Sequence, residues 1–202
     1  MAQYGKKDYW EERYARDTEP FDWYQRYSGL RVVLEERIKK TDTILVTGCG
    51  NSRLSEEMFE AGFENISNID YSSKVIHQMA EKNETPMEYT VMDVTALDFG
   101  SSYFDVVLDK GTLDSVSCGE GSTANIAKYM GEVSRVLKPN GVFVVISYGA
   151  PDHRLVHMEK PEYGWAVEVT SVPKPAIGNV RPGADGDDSS VHYIYTARKG
   201  RR

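Results

Sequence analysis

The stretch Thr43-Ile44-Leu45-Val46-Thr47-Gly48-Cys49-Gly50-Asn51-Ser52, followed by Asn68-Ile69-Asp70, decides how this chain folds. A short apolar run ends in two glycines, a helix start follows, and an acid closes the next apolar run. An α/β protein builds a pocket for a nucleoside-containing cofactor in this way. The glycines let the backbone come close to the ligand, and the acid takes both ribose hydroxyls.

Outward from this turn, strand-like and helix-like segments alternate, as in a doubly wound α/β sheet. Residues 7–17 read as a short charged, aromatic helix, and Leu30, Val33, Leu34 and Ile38 share one helical face. Strands are expected over residues 44–47, 66–70, 89–92, 104–108, 142–148, 164–172 and 192–198. Leu54, Met58 and Ala61 mark the helix after the glycine turn, with Asn51 or Ser52 as its cap. Val75, Ile76, Met79 and Ala80 mark the next, capped by Ser72 or Ser73. Ile126, Tyr129, Met130, Val133, Val136 and Leu137 form the longest stripe, which Lys138-Pro139-Asn140-Gly141 should end in a turn. Residues 173–190, rich in Pro, Gly and Asp, read as a mobile loop. The expected organisation is one domain over 1–202: an aromatic cap and first helices to 40, a cofactor-binding core over 41–150, and the last strands beyond.

Bulk properties exclude several classes. A net charge of -7 argues against nucleic acid as the main partner, because phosphate binding wants a basic face. No apolar run is long enough to span a bilayer, so no membrane partner is expected. Cys49 and Cys118 suggest no disulfide framework, and the scattered histidines suggest no metal site. A reducing, cytoplasmic setting is the expectation.

In an open parallel sheet, ligands bind outside the carboxyl ends of the strands. Gly48–Gly50, Asp70, Asp93 and Asp109 all fall there. Asp70 has the spacing of a ribose-binding acid, against the alternative of a helix cap. Asp93 is either an acceptor for an adenine amino group or a turn aspartate. Asp109 and Lys110 end an apolar strand, so they either cap a loop or line the site, and Asp114, close behind, reads as only a local cap. Arg53 stands where a dinucleotide fingerprint needs glycine or alanine, which disfavours NAD. A phosphate-free sulfonium cofactor, S-adenosylmethionine, suits the acids and the aromatic residues better. Tyr9, Trp10, Tyr14, Phe21, Trp23, Tyr24 and Tyr27 crowd the first thirty residues, either as a lid on the sheet or as a wall closing over the cofactor.

These residues resemble a known family. Val46-Thr47-Gly48-Cys49-Gly50-Asn51-Ser52 is similar to motif I of class I S-adenosylmethionine-dependent methyltransferases. Tyr9-Trp10-Glu11-Glu12-Arg13-Tyr14, Pro20-Phe21-Asp22-Trp23-Tyr24, Asn68-Ile69-Asp70-Tyr71-Ser72 and Val107-Leu108-Asp109-Lys110-Gly111-Thr112-Leu113-Asp114 narrow the likeness. So do Tyr163-Gly164-Trp165 and His192-Tyr193-Ile194-Tyr195. The ordered set resembles the methyltransferase-like 13 group, which includes lysine methyltransferases of elongation factor 1-alpha. The segment between Tyr14 and Pro20 is shorter than in the group, and residues 173–190 do not look like its core.

The resemblance implies a Rossmann-like, seven-stranded, mostly parallel sheet with an antiparallel last strand and helices on both faces. It implies that Gly48, Cys49 and Gly50 meet the methionine part of the cofactor, and that Asp70 holds the ribose beside Tyr71. Asp93 and Val94 would frame the adenine. Trp10, Tyr14 and Trp23 would cover the cofactor, with Lys110 nearby. The implied activity is methyl transfer to lysine on a protein such as elongation factor 1-alpha. A small-molecule acceptor is the alternative, and a non-catalytic cofactor-binding protein a third. Asp109 is the candidate for an acid that orients the acceptor at the mouth of an aromatic channel.

Overall fold

The computed structural model describes residues 3–175 and 190–201. Its strands are β1 (Ile44–Thr47), β2 (Ile66–Asp70), β3 (Glu88–Val91), β4 (Phe104–Lys110), β5 (Leu137–Ser147), β6 (Trp165–Pro173) and β7 (Val191–Lys199). Its helices are α1 (Lys7–Arg16), α2 (Tyr27–Arg37), α3 (Leu54–Glu60), α4 (Ser73–Lys82), α5 (Thr112–Val116), α6 (Ser122–Val136) and α7 (Pro151–Met158). The strands form one seven-stranded sheet in the order β3-β2-β1-β4-β5-β7-β6. Neighbours from β3 to β5 are parallel, and β7 runs antiparallel to both β5 and β6. The order reverses direction next to β1, the position at which an open α/β sheet opens a ligand crevice.

The period-2 alternation of the central strands sorts the core into two layers. Val142, Val144 and Ile146 of β5 pack with Val106 and Leu108 against Leu30, Leu34, Met58 and Val75 of α2, α3 and α4. Phe143 and Val145, one residue out of phase, pack with Val107 against Ile126, Tyr129, Met130 and Val133 of α6. Both faces are therefore covered, which is why these strands are continuously apolar.

The segment Lys138–Gly141 does not separate α6 from its strand as the sequence suggests. Leu137 already pairs with Phe104, and Val142 pairs with Val106, so the intervening residues form an irregularity within β5. Asn140 takes a φ of +64°, a conformation asparagine tolerates better than most side chains. Two helices carry no strong stripe and go unanticipated: the five-residue α5 and α7. Of the loop expected over 173–190, residues 176–189 lie outside the described residues, and its flanks are joined by the Lys174 N–H donating to the Ser190 carbonyl at 2.9 Å.

The N-terminal segment is tied to the start of α4 and to the glycine turn, among other places. The Glu11 carboxylate reaches from α1 to the start of α4, accepting the Ser73 N–H at 2.9 Å and the Ser72 hydroxyl at 3.0 Å. An acid there meets the unpaired N–H groups and the positive end of the helix dipole. Farther along, Asn51 donates to the Glu19 carbonyl at 2.6 Å, drawing the segment onto the glycine turn.

Met130 is fully buried in the α6 layer, whereas Val32 on α2 is 70% exposed. Met130→Ala should cost about 2–5 kcal/mol in urea unfolding, and Val32→Ser less than about 0.5 kcal/mol. Equal effects of the two substitutions would contradict this assignment of the core.

Candidate active site

A cavity of about 450 Å³ opens over the carboxyl ends of the parallel strands. Its volume falls in the range that takes a cofactor-sized ligand. Because β3, β2, β1, β4 and β5 lie side by side, the residues ending them line the cavity in that spatial order.

At the β3 and β2 end stand Met92, Asp93, Val94, Asp70 and Tyr71. Asp70 is nearly buried, and its two carboxylate oxygens accept the Gly50 N–H at 3.0 Å and the Ser72 N–H at 2.9 Å. Each oxygen keeps a further lone pair. Burial pushes the Asp70 carboxyl up to about 6 against the lowering effect of those two N–H groups. Asp93 is exposed, and one of its oxygens accepts both the N–H and the hydroxyl of Thr95 at 2.8 Å. It is thus a turn aspartate that also lines the cavity.

In the middle lies the glycine turn. Gly48 and Gly50 have φ of +58° and +53°, in the left-handed region. A side chain at Gly50 would begin 2.6 Å from the Tyr14 hydroxyl, and one at Gly48 would collide with Thr112. Glycine is therefore required twice over, by conformation and by space. Trp10 stacks on Tyr14 with ring centroids 5.7 Å apart, and both face the cavity. Trp23 meets Trp10 edge-on at 6.3 Å. Gly5, just before α1, lies against the backbone of Gly119 beyond α5, so the N-terminal segment spans the cavity from one side to the other.

At the β4 and β5 end, Lys110 lines the cavity, but its ammonium is spoken for. It donates to Asp22 Oδ1 at 3.1 Å and to the Trp23 carbonyl at 3.0 Å, and both side chains of the pair are buried. Burial lowers the Lys110 ammonium, partly offset by the charge of Asp22. Lys110 thus holds the aromatic segment in place as well as bordering the cavity.

Every residue expected to meet the cofactor lines this one cavity, from Trp10 and Cys49 to Lys110. Asp109 does not. It is fully buried beneath the loop, accepting the Thr112 N–H at 2.8 Å, the Leu113 N–H at 2.9 Å and the Tyr129 hydroxyl at 2.8 Å. The expectation that it orients an acceptor is therefore corrected: it caps α5 from below, and burial pushes its carboxyl up to about 7. The acid that borders the cavity here is Asp114. Tyr24 and Tyr148 also border it; the sequence offers Tyr24 only as one of a crowd of aromatic residues and does not mark Tyr148 as a site residue. Tyr148 had a usable signal, since it directly follows β5 at a strand's carboxyl end.

Comparisons with known proteins agree with this geometry. A family model described as a methyltransferase domain matches residues 45–145, half of the chain. EEF1A lysine methyltransferase 4 of Mus musculus is 38% identical over 181 residues, spanning 84% of this chain and 71% of its own length. The eEF1A lysine and N-terminal methyltransferase of Homo sapiens is 40% identical over 180 residues, spanning 84% of this chain but 25% of that longer protein. The chain belongs to the S-adenosylmethionine-dependent methyltransferases. The fold agrees: a methyltransferase of this class from Methanosarcina mazei superposes with a TM-score of 0.65 over 90% of this chain and 100% of its own, at 16% identity.

The methyltransferase cavity fits a sulfonium nucleoside better than a dinucleotide. Arg53, at the start of α3, is turned outward to Glu56 at 3.0 Å, and Glu56 and Glu57 occupy the first turn. That helix end therefore presents no phosphate site. The free lone pairs of Asp70 suit two ribose hydroxyls, and the stacked Trp10 and Tyr14 faces suit a cation.

Hydroxyls donated to Asp70 favour its ionised form, whereas the ligand-free protein holds a proton there below about pH 6. The affinity for S-adenosylhomocysteine should be flat above pH 7 and weaken as pH falls through 6, because binding must then displace that proton. Calorimetry across pH 5–8 reads this directly. Asp70→Asn should bind about tenfold or more weakly and lose the pH dependence; a variant that keeps the wild-type pH profile would remove Asp70 from the ribose site. Asp109→Asn should behave differently. It places an amide donor against N–H donors, so thermal stability should drop, while the folded variant keeps its turnover within a few-fold. A loss of turnover of a hundredfold with unchanged stability would restore Asp109 as a residue acting on the acceptor.

Proposed function

We propose that this methyltransferase acts on the side-chain amine of a lysine in a protein, an elongation factor 1-alpha in the first instance. The observation that carries this reading is the 38–40% identity, over 84% of this chain, to proteins named as lysine methyltransferases of that factor. The net charge of -7 supports it, since an acidic protein draws a basic partner by long-range attraction. We further propose a cytoplasmic setting, which suits the free thiols of Cys49 and Cys118.

Asp70 would hold the ribose, Asp93 and Val94 the adenine, and the Gly48–Gly50 backbone the methionine part. When bound, S-adenosylmethionine supplies a methyl group on a sulfonium, open to in-line displacement by a nucleophile. The chain itself supplies position and environment. Trp10 and Trp23 wall the cavity, Lys110 fixes Trp23 through its carbonyl, and the β4–β5 end receives the acceptor. An aromatic channel raises the cost of keeping the lysine charged, which favours the neutral amine that reacts. The proton shed by the lysine leaves to water.

Purified protein incubated with labelled S-adenosylmethionine and elongation factor 1-alpha should place label on a lysine of that factor, located by mass spectrometry. Label on small molecules of a cell extract alone would favour the small-molecule reading, and binding of S-adenosylhomocysteine with no transfer to any acceptor would favour a non-catalytic one.

A further inference from the structure

The β4–β5 end of the cavity contains an arrangement that cofactor binding does not explain. Tyr24 has a φ of +64°, the left-handed region, which a bulky aromatic residue adopts only where its surroundings force it. Gly111 faces it: with a φ of +90° and no side chain, it leaves room for the ring, and a Cβ there would stand 3.1 Å from Tyr24 Cε2. The hydroxyl donates to Asp114 Oδ2 at 2.8 Å. Asp114 is buried, and its other oxygen accepts Arg154 Nη2 at 2.7 Å and the Ser147 hydroxyl at 2.5 Å. The backbone conformation, the glycine and the buried acid all serve to hold one phenol oxygen in one place.

That oxygen has a defined chemical character. Its proton is committed to Asp114, and among the described residues no donor reaches it, so it offers lone pairs only. Arg154 pairs with Asp114, so the support beneath the phenol carries little net charge. Burial and the neighbouring Asp114 raise the Tyr24 phenol, which stays protonated. The ring lines the cavity beside Gly111 and Tyr148. Three strand positions separate β2, which carries Asp70, from β5, which ends at Tyr148. At about 4.8 Å per strand this puts the two ends of the cavity about 14 Å apart.

We propose that Tyr24 is the residue that orients the acceptor amine, its hydroxyl oxygen accepting an N–H of the incoming lysine, with Asp114 and Arg154 as the pair that fixes that oxygen. This rests on the amine-acceptor reading given above. The neutral amine donates one N–H to Tyr24 Oη, which turns its lone pair toward the methyl carbon. The N–C bond forms, the C–S bond breaks with its electron pair passing to sulfur, and the new ammonium later loses a proton to water. Tyr24 gains and loses no proton.

The test is Tyr24→Phe, assayed with labelled S-adenosylmethionine and elongation factor 1-alpha. Expected are an affinity for S-adenosylhomocysteine within about threefold of the parent, a similar melting temperature, and a kcat at least tenfold lower with a smaller change in the acceptor KM. Asp114→Asn keeps the ring but gives the phenol proton a weaker acceptor. It should also lower kcat, at least fivefold, while S-adenosylhomocysteine still binds. A parent that methylates lysine and a folded Tyr24→Phe or Asp114→Asn with parental kcat would overturn the role of Tyr24 and leave the lysine reading standing. Loss of S-adenosylhomocysteine binding in folded Tyr24→Phe would place the residue in the cofactor site and overturn it too. Transfer by the parent to non-amine acceptors only would overturn both.

Discussion

The buried ion pair between Lys110 and Asp22 is the junction on which the rest of the site depends. Both side chains are nearly closed to solvent, at 5% and 7% exposure. Lys110 comes from the end of β4, and Asp22 from the aromatic segment before α2. The Ser52 hydroxyl, from the glycine turn, donates to the same Asp22 oxygen and accepts the Leu54 N–H at 3.1 Å. Three separate parts of the chain meet at one carboxylate. Desolvating two charges is costly, and such a pair adds little stability over an apolar substitute. Losing one partner is another matter, because it strands the other charge, at about 3–5 kcal/mol. The pair therefore acts less as glue than as a constraint: the aromatic segment has one low-energy seat, and Trp23 and Tyr24 are delivered to it.

Within that frame the strand-end aspartates do different work with the same chemistry. Asp70, Asp93 and Asp109 each accept backbone N–H groups from the residues around the following turn or from the glycine turn. For Asp70 this leaves lone pairs facing the cavity. For Asp109 the hydroxyl of Tyr129, itself 2.6 Å from the Thr47 hydroxyl, completes a closed network beneath the loop. Asp109 thereby holds Gly111 and Thr112 in position, and Thr112 in turn donates to the Thr47 carbonyl at 2.9 Å beside Gly48. It shapes the wall of the site without touching its contents.

This difference marks what could be read from the residues and what could not. The glycine turn was legible because its requirement is local: a backbone at positive φ with another chain pressed against it admits little else than glycine. The sheet was legible because the apolar runs of β1, β4 and β5 are too continuous for a one-sided strand. Asp109 was not, because an acid at a strand end looks the same whether a loop leaves it open or folds over it. The deciding contact comes from Tyr129, twenty residues farther along. Tyr24 was hidden for a similar reason. Eight aromatic residues crowd the first thirty positions, and only the placement of Gly111 and Asp114 sets one apart from the others. Arg154 sits in α7, a short helix with a polar sequence, where nothing local announces a buried charge.

The electrostatics of the whole molecule and of the site then run in opposite directions, and the reaction needs both. Outside, an excess of acids attracts the ammonium of a lysine-bearing partner. A carboxylate left bare at the reacting end would continue that attraction and hold the lysine in its charged form, whose lone pair is occupied by a proton and cannot attack. Arg154 answers this by neutralising Asp114 below the surface of the cavity. What the acceptor meets is the phenol oxygen above the pair, a dipole rather than a charge. A dipole can orient an N–H without opposing the loss of the proton, so attraction ends where nucleophilicity must begin.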